Sequence, residues 1–115
     1  YDHAVTQQHL AILKAATDAD GRRLQVHTLS PPLAPRDSRF SRNNPDFAAG
    51  YINYFVINGA VIAPEFGDPQ ADRAALALLT ALYPQRKVMQ LEIDAIAAGG
   101  GGIHCVTSQL PRHGR

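Results

Sequence analysis

The 115-residue sequence has one cysteine, one methionine and no tryptophan, and its charges nearly cancel at a net +1. A single cysteine cannot form an internal disulfide, which fits a reducing compartment, and we expect a cytoplasmic protein. The balanced charge gives no electrostatic reason to expect nucleic acid or a membrane surface as a partner. No apolar run approaches the ~20 residues of a membrane-spanning helix. With 45% hydrophobic residues, the composition favours one globular domain.

The first residue is Tyr1 rather than methionine, and no signal-peptide pattern follows it. We therefore expect a processed product or a piece of a longer protein.

Hydrophobic periodicity predicts an alternating α/β fold. Asp68, Pro69 and Pro84 mark the ends of one predicted helix, and Asn58 with Gly59 predicts a tight hairpin turn. Helices are predicted at 5–17 and 68–84, a short helical turn or loop at 94–98, and strands at 24–29, 50–59, 60–66, 86–93 and 103–108.

A long segment, residues 30–49, is rich in proline, arginine and asparagine and has no helical or strand period. Loops of this length are usually lids, binding loops or disordered segments. We expect it to be mobile or poorly packed and to lie near the mouth of an active site. Arg36, Arg39 and Arg42 could clamp an anion, but the acidic residues and prolines between them favour an ordinary solvated segment.

Four consecutive glycines at 99–102 precede the only cysteine, Cys105. A phosphate-binding loop needs a strand before the glycines and a helix after them, whereas the pattern here predicts the reverse order. A metal site is also disfavoured, because His104 and Cys105 would point to opposite faces of the strand predicted at 103–108. The other histidines lack paired spacing. We expect no cofactor and no metal.

Cys105 itself has two interpretations. Between Ile103 and Val106 it could be a small buried hydrophobe. Alternatively, the glycines could let a flat polar substrate approach the backbone and could expose N–H groups that stabilise a thiolate. The residues alone leave both interpretations open.

Four segments resemble one family in the same order along the chain. The stretch "GGGGIHCVTSQLP" is similar to the terminus of agmatine deiminases and the related Porphyromonas-type peptidylarginine deiminases, with Cys105 at the family's nucleophile position. The preceding segments "LAILKAATDADGRRLQVHTLSPP", "YINYFVINGAVIAPEFGDPQAD" and "LYPQRKVMQL" also match family patterns. The resemblance weakens only in the arginine-rich loop.

This resemblance implies the fold class, an α/β fold made of the final blades of a five-bladed α/β propeller (pentein), with mixed short strands and helices. Residues 1–115 would be the carboxy-terminal portion of a single deiminase domain. The implied reaction is hydrolysis of a guanidino group through Cys105, most simply agmatine to N-carbamoylputrescine and ammonia in putrescine (polyamine) biosynthesis. The alternatives are a deiminase of peptidyl or free arginine, or a non-catalytic truncated domain of the same fold.

The resemblance also suggests which residues contact the substrate. Gly101 and Gly102 would leave room for the flat guanidinium, and Asn53 would either line the site or merely satisfy backbone groups. For His104 we favour a structural hydrogen bond over catalysis.

Two departures from the family pattern concern the substrate and the catalytic groups. Gly102 and Ser108 stand where many relatives carry Asn and Gln, which affects fine substrate assignment. The family's acid/base histidine and guanidinium-binding acids lie upstream of the matched region, and none of the five histidines here has the matching His-x-Asp context. We therefore expect the isolated chain to fold at least partly, to lack deiminase activity, and to associate as a homo-oligomer or with the rest of its domain.

Overall fold

The computed structural model describes residues 3–114 and shows an α/β fold with one small mixed sheet. The strands β1, β2 and β3 lie side by side in that order. The elements are α1 (His3–Ala15), β1 (Phe55–Ile57), β2 (Ala60–Glu65), α2 (Pro69–Leu82), β3 (Lys87–Glu92), α3 (Asp94–Ala97) and a 3₁₀ turn (His104–Val106). Among these described residues, no helix is long and apolar enough to cross a bilayer.

The hairpin and the crossover helix form as predicted. Antiparallel β1 and β2 are joined through Asn58 and Gly59, whose φ of +78° suits glycine. Strands β2 and β3 are parallel and are connected by α2, as parallel pairing requires. The side chain of Asp68 caps α2 by accepting a hydrogen bond from the Ala71 N–H at 3.2 Å.

The core lies beneath the ends of β2 and β3 and is built around two aromatic rings. Tyr51 and Phe66 are fully buried, and their ring centroids lie 5.4 Å apart in an edge contact. The Tyr51 hydroxyl donates to Asp72 Oδ1 at 2.7 Å, and Asp72 also accepts the Phe66 N–H. The segment before β1 is therefore fixed to the first turn of α2. The remaining buried members of this cluster are Ala75, Ile93, Ala97 and Ile103.

Two predicted strands are wrong. Residues 24–29 form neither strand nor helix, because no strand among residues 3–114 lies beside them to accept their hydrogen bonds. The preceding residue, Arg23, forms an isolated bridge with Thr17. Residues 103–108 form no strand either, and His104–Val106 is a 3₁₀ turn. The strand predicted over 50–59 is limited to Phe55–Ile57.

The first helix ends earlier than predicted, at Ala15, and its apolar side is exposed. The Asp18 carboxylate accepts the N–H groups of Asp20 and Arg22, both at 2.9 Å, which favours a turn over further helix. No residue of α1 is buried, and Ile12 is 64% exposed. The apolar residues of this helix are therefore not covered by the part of the chain that the structure describes.

The segment 30–49 contains no helix or strand, and several contacts join it to the rest of the fold. The Arg36 N–H donates to the Phe66 carbonyl at 2.6 Å, and the Ala48 N–H donates to the Ala97 carbonyl at 3.0 Å. The Phe47 ring also makes an edge contact with Phe66, with centroids 6.1 Å apart. Tertiary contacts thus replace the regular hydrogen bonds that this segment lacks.

Candidate active site

The glycine run connects α3 to the turn that carries Cys105. The N–H groups of Gly99 and Gly100 donate to the carbonyls of Ile96 and Ala97, both at 3.0 Å, and end the helix. Gly100 has a φ of +86°, a left-handed conformation that side chains rarely adopt. The chain then passes through Gly101 and the buried Gly102 into the 3₁₀ turn.

Asn53 joins this turn to the sheet through both ends of its amide. Its Nδ2 donates to the sulfur of Cys105 at 3.0 Å. Its Oδ1 accepts the N–H groups of His104 at 2.7 Å and Cys105 at 3.3 Å. These contacts explain why the predicted strand is absent, since Asn53 takes the donors that a neighbouring strand would otherwise bind. Asn53 therefore lies beside the thiol and satisfies backbone groups as well.

Gly102 allows this close approach of Asn53. A Cβ atom on Gly102 would lie 2.7 Å from Asn53 Cγ, closer than real Cβ contacts allow. The space beside Gly102 is thus filled by Asn53 rather than left open. A Cβ on Gly101 would lie 3.3 Å from the sulfur of Cys105, so Gly101 leaves room next to the thiol.

Cys105 is exposed in this chain and is not part of the core of the described residues. The Asn53 amide and then the Gly102 backbone lower the pKa of its thiol, with a further contribution from the N–H of Cys105, and these donors outweigh the opposing effect of desolvation. All of these groups are neutral dipoles. A thiol with a lowered pKa at an accessible position is the form of cysteine that acts as a nucleophile.

His104 uses its backbone and its ring separately. Its N–H makes the hydrogen bond to Asn53, and its exposed ring contacts the edge of Phe55 with centroids 6.4 Å apart. The expected opposition of His104 and Cys105 across a strand is wrong, because that strand does not form.

A cavity of about 310 Å³ lies beside the thiol-bearing turn. None of its lining side chains is charged; they belong to Ala48, Ala49, Gly50, Ile52, Asn53, Gly100 and Gly101. A larger cavity of about 520 Å³ lies between segment 28–33 and α2 and includes none of the predicted site residues. Within residues 3–114, no three His, Cys, Asp or Glu side chains are arranged to hold a metal ion.

Sequence reasoning missed an ionic cluster at the ends of β2 and β3. Arg36, interpreted as solvated, donates to Glu65 at 2.5 Å and to Asp94 at 3.1 Å, and lies 4.0 Å from Glu92. The hydrogen bond to Glu65 is the largest of the effects that raise the pKa of Arg36. A signal was present, since Glu65 and Glu92 end neighbouring parallel strands whose carboxyl ends meet at one edge.

The family model for Porphyromonas-type peptidyl-arginine deiminases matches residues 1–111, and the chain belongs to this family. A Streptomyces coelicolor protein named as an agmatine deiminase is 42% identical over 111 residues, covering 96% of this chain and 31% of the relative. A Streptomyces avermitilis protein of the same name is 38% identical over 113 residues, covering 97% and 31%. The chain therefore spans about a third of the length of these relatives.

Solved structures show the same α/β fold. The agmatine deiminase of Enterococcus faecalis superposes with a TM-score of 0.79 at 30% identity, over 97% of this chain and 36% of that chain. A Porphyromonas gingivalis structure, described as an arginine deiminase, gives 0.77 at 27% identity, over 96% and 32%.

Replacing Asn53 by alanine tests the source of the thiol's lowered pKa. Asn53→Ala removes the donor that stabilises the thiolate, so the pKa of Cys105 rises and less thiolate exists at neutral pH. We expect iodoacetamide to alkylate Cys105 more slowly at neutral pH, and the pH profile of alkylation to move to higher pH. Both are measured by peptide mass mapping. Asn58→Ala, at the exposed hairpin turn, is the control. An unchanged profile in Asn53→Ala would refute this role.

Adding one methyl group at Gly102 tests the close packing against Asn53. In Gly102→Ala the new Cβ displaces the Asn53 side chain, so alkylation of Cys105 at neutral pH slows as it does in Asn53→Ala. Gly99→Ala is the matched control, because its Cβ would meet only the Ile96 carbonyl at an ordinary 3.5 Å. Equal alkylation rates in the two alanine variants would contradict the packing argument.

Proposed function

We propose that the protein hydrolyses a guanidino group and that Cys105 is the nucleophile, with agmatine converted to N-carbamoylputrescine and ammonia. The observation that carries the proposal is the 3.0 Å hydrogen bond from Asn53 Nδ2 to the sulfur of Cys105. It stabilises a thiolate at an exposed position in a family of deiminases. The relatives and the Enterococcus structure named as agmatine deiminases favour agmatine as substrate.

The reaction begins with attack of the Cys105 thiolate on the central guanidinium carbon. A tetrahedral adduct forms, one of its amino groups takes a proton, and ammonia leaves, so that an amidino-thioether remains. Water then adds to the same carbon, the carbon–sulfur bond breaks, and the carbamoyl product leaves with the thiol regenerated. Two features of the described residues favour this chemistry: the groups that lower the pKa of the Cys105 thiol are neutral, and the lining of the adjacent cavity carries no cation that would repel the positively charged substrate.

The proposal assigns two further functions to parts of the protein outside this chain. A proton donor must serve the departing ammonia, and carboxylates must orient the guanidinium. The cavity beside Cys105 has no charged lining residue, so neither group comes from its walls. We propose that the chain is the carboxy-terminal portion of a five-bladed α/β propeller whose other blades supply both groups and cover the exposed side of α1.

Gly101 and Asn53 are the residues that we expect to meet the substrate, since both line the cavity and lie next to the sulfur. Gly102 contributes through its backbone, which lowers the pKa of the Cys105 thiol. With agmatine as substrate, the proposed role is in putrescine formation, and the single cysteine fits a cytoplasmic location.

Arginine is the second candidate substrate. The matching family model describes peptidyl-arginine deiminases, and the Porphyromonas structure is described as an arginine deiminase. Agmatine, free arginine and an arginyl peptide share the guanidinium that Cys105 would attack. They differ at the other end of the molecule, whose contacts lie beyond the small cavity described above.

The direct test is ammonia release from agmatine by the protein at its full natural length. We expect Cys105→Ala to lower kcat by about four orders of magnitude or more, because the covalent route is lost. Arginine and an arginyl peptide are assayed alongside, and the highest kcat/KM identifies the substrate. Ammonia release by Cys105→Ala at the wild-type rate would exclude Cys105 as the nucleophile.

A further inference from the structure

Arg36 joins segment 30–49 to the ends of both parallel strands. Its guanidinium donates to Glu65, at the end of β2, and to Asp94, which follows β3 and begins α3. Asp94 is 1% exposed and its Oδ2 has no hydrogen-bond partner, so Arg36 is the cation that compensates this buried carboxylate. Removing Arg36 would leave this buried carboxylate without its cation, which strongly destabilises the start of α3.

The backbone of Arg36 is held by hydrogen bonds as well as its guanidinium. The backbone N–H of Arg36 donates to the Phe66 carbonyl at 2.6 Å, and the Arg36 carbonyl accepts a hydrogen bond from the Ser41 hydroxyl at 2.8 Å. Gly67, with a φ of +83°, packs so closely that a Cβ there would lie 2.9 Å from Arg36 Cβ. These contacts fix the backbone of Arg36 and therefore limit where its guanidinium can lie relative to Asp94.

The same segment also holds the other end of α3. Asn44 Nδ2 donates to the Ala98 carbonyl at 3.1 Å, and the Ala48 N–H donates to the Ala97 carbonyl at 3.0 Å. Helix α3 has only four residues, too few to be stable without tertiary contacts. Its position is therefore set by Arg36 at its start and by Asn44 and Ala48 at its end.

Helix α3 in turn determines where the glycine run begins. Residues 99–102 have no side chains with which to pack, and glycine is the residue with the greatest backbone freedom. Their path is fixed by their two ends, which are α3 on one side and the Asn53 contacts with the Cys105 turn on the other. A shift of α3 therefore moves Gly102, whose backbone helps to lower the pKa of the Cys105 thiol, relative to the Asn53 amide and the sulfur.

We propose that Arg36 is a positioning residue for Cys105, acting through Asp94 and α3, with Asn44 in the same role at the other end of the helix. The activity part of this inference rests on the proposed function. The thiol part does not, because alkylation of Cys105 requires no guanidino substrate.

The test compares four variants of the protein at its full natural length. Arg36→Gln removes the cation, Arg36→Lys restores a charge without the planar fork, and Asn44→Ala loosens the far end of α3. Arg42→Gln is the matched control, since Arg42 lies in the same segment and its guanidinium forms an exposed ion pair with Asp37. The measurements are kcat and KM for agmatine, the melting temperature, and the pH profile of Cys105 alkylation.

We expect Arg36→Gln to lower kcat by roughly 10- to 100-fold, the scale of a displacement of about 1 Å, with a smaller change in KM. Its alkylation profile moves to higher pH, Arg36→Lys lies between it and wild type, and Arg42→Gln matches wild type. In Asn44→Ala we expect a smaller decrease of kcat and a smaller shift of the alkylation profile. This variant tests the proposal if Arg36→Gln does not fold.

Lower melting temperatures with unchanged kcat and alkylation profiles would overturn the inference and leave a purely structural ion pair. If wild type releases no ammonia from any guanidino substrate, the proposed function fails, while the alkylation profiles still decide whether Arg36 positions Cys105.

Discussion

The rest of the site depends on the hydrogen bonds that the side-chain amide of Asn53 makes with the Cys105 turn. Its oxygen binds the N–H groups that begin the Cys105 turn, and its nitrogen then points at the sulfur. The core holds the backbone next to Asn53 in place, because Tyr51, two residues earlier, is buried and its hydroxyl donates a hydrogen bond to Asp72. Ile52 between them points outward and is 77% exposed. The aromatic core thus determines where the thiol's donor lies.

Neutral dipoles are a suitable way to stabilise this thiolate. A lysine or arginine beside Cys105 would also lower the thiol pKa, but it would repel a guanidinium substrate. The Asn53 amide and the backbone N–H groups lower the pKa without adding positive charge. The guanidinium of Arg36 is bound by carboxylates at the strand ends. The ion pairs of Arg36 therefore stabilise the fold, while neutral dipoles stabilise the thiolate.

The parts of the fold predicted from sequence are those set by local chemistry. Asp68 and Pro69 begin α2, Asn58 and Gly59 form the hairpin turn, and the β3 segment alternates as a strand should. The strand predicted at 103–108 failed because its alternating pattern was overridden by Asn53, some fifty residues away. The strand predicted at 24–29 had the right alternation but no partner strand within residues 3–114.

The candidate site was predictable only in part. Cys105 and its glycines were found through a family resemblance, and Asn53 was suspected on the same basis. The contribution of Arg36 was not predictable from its own segment, because it depends on Glu65 and Asp94 meeting at one edge of a parallel sheet. Such a meeting is a property of topology, which spacing along the chain does not reveal.

The central claim is that Cys105 forms a covalent bond to a guanidinium carbon, and trapping that bond tests it most directly. The full-length protein is mixed with agmatine, quenched in acid within the turnover time, digested and mapped by mass spectrometry. We expect the peptide that contains Cys105 to carry the mass of the amidino-thioether, and no adduct to form in Cys105→Ala. Steady release of ammonia with Cys105 unmodified at every quench time, or an adduct on another residue, would contradict the account.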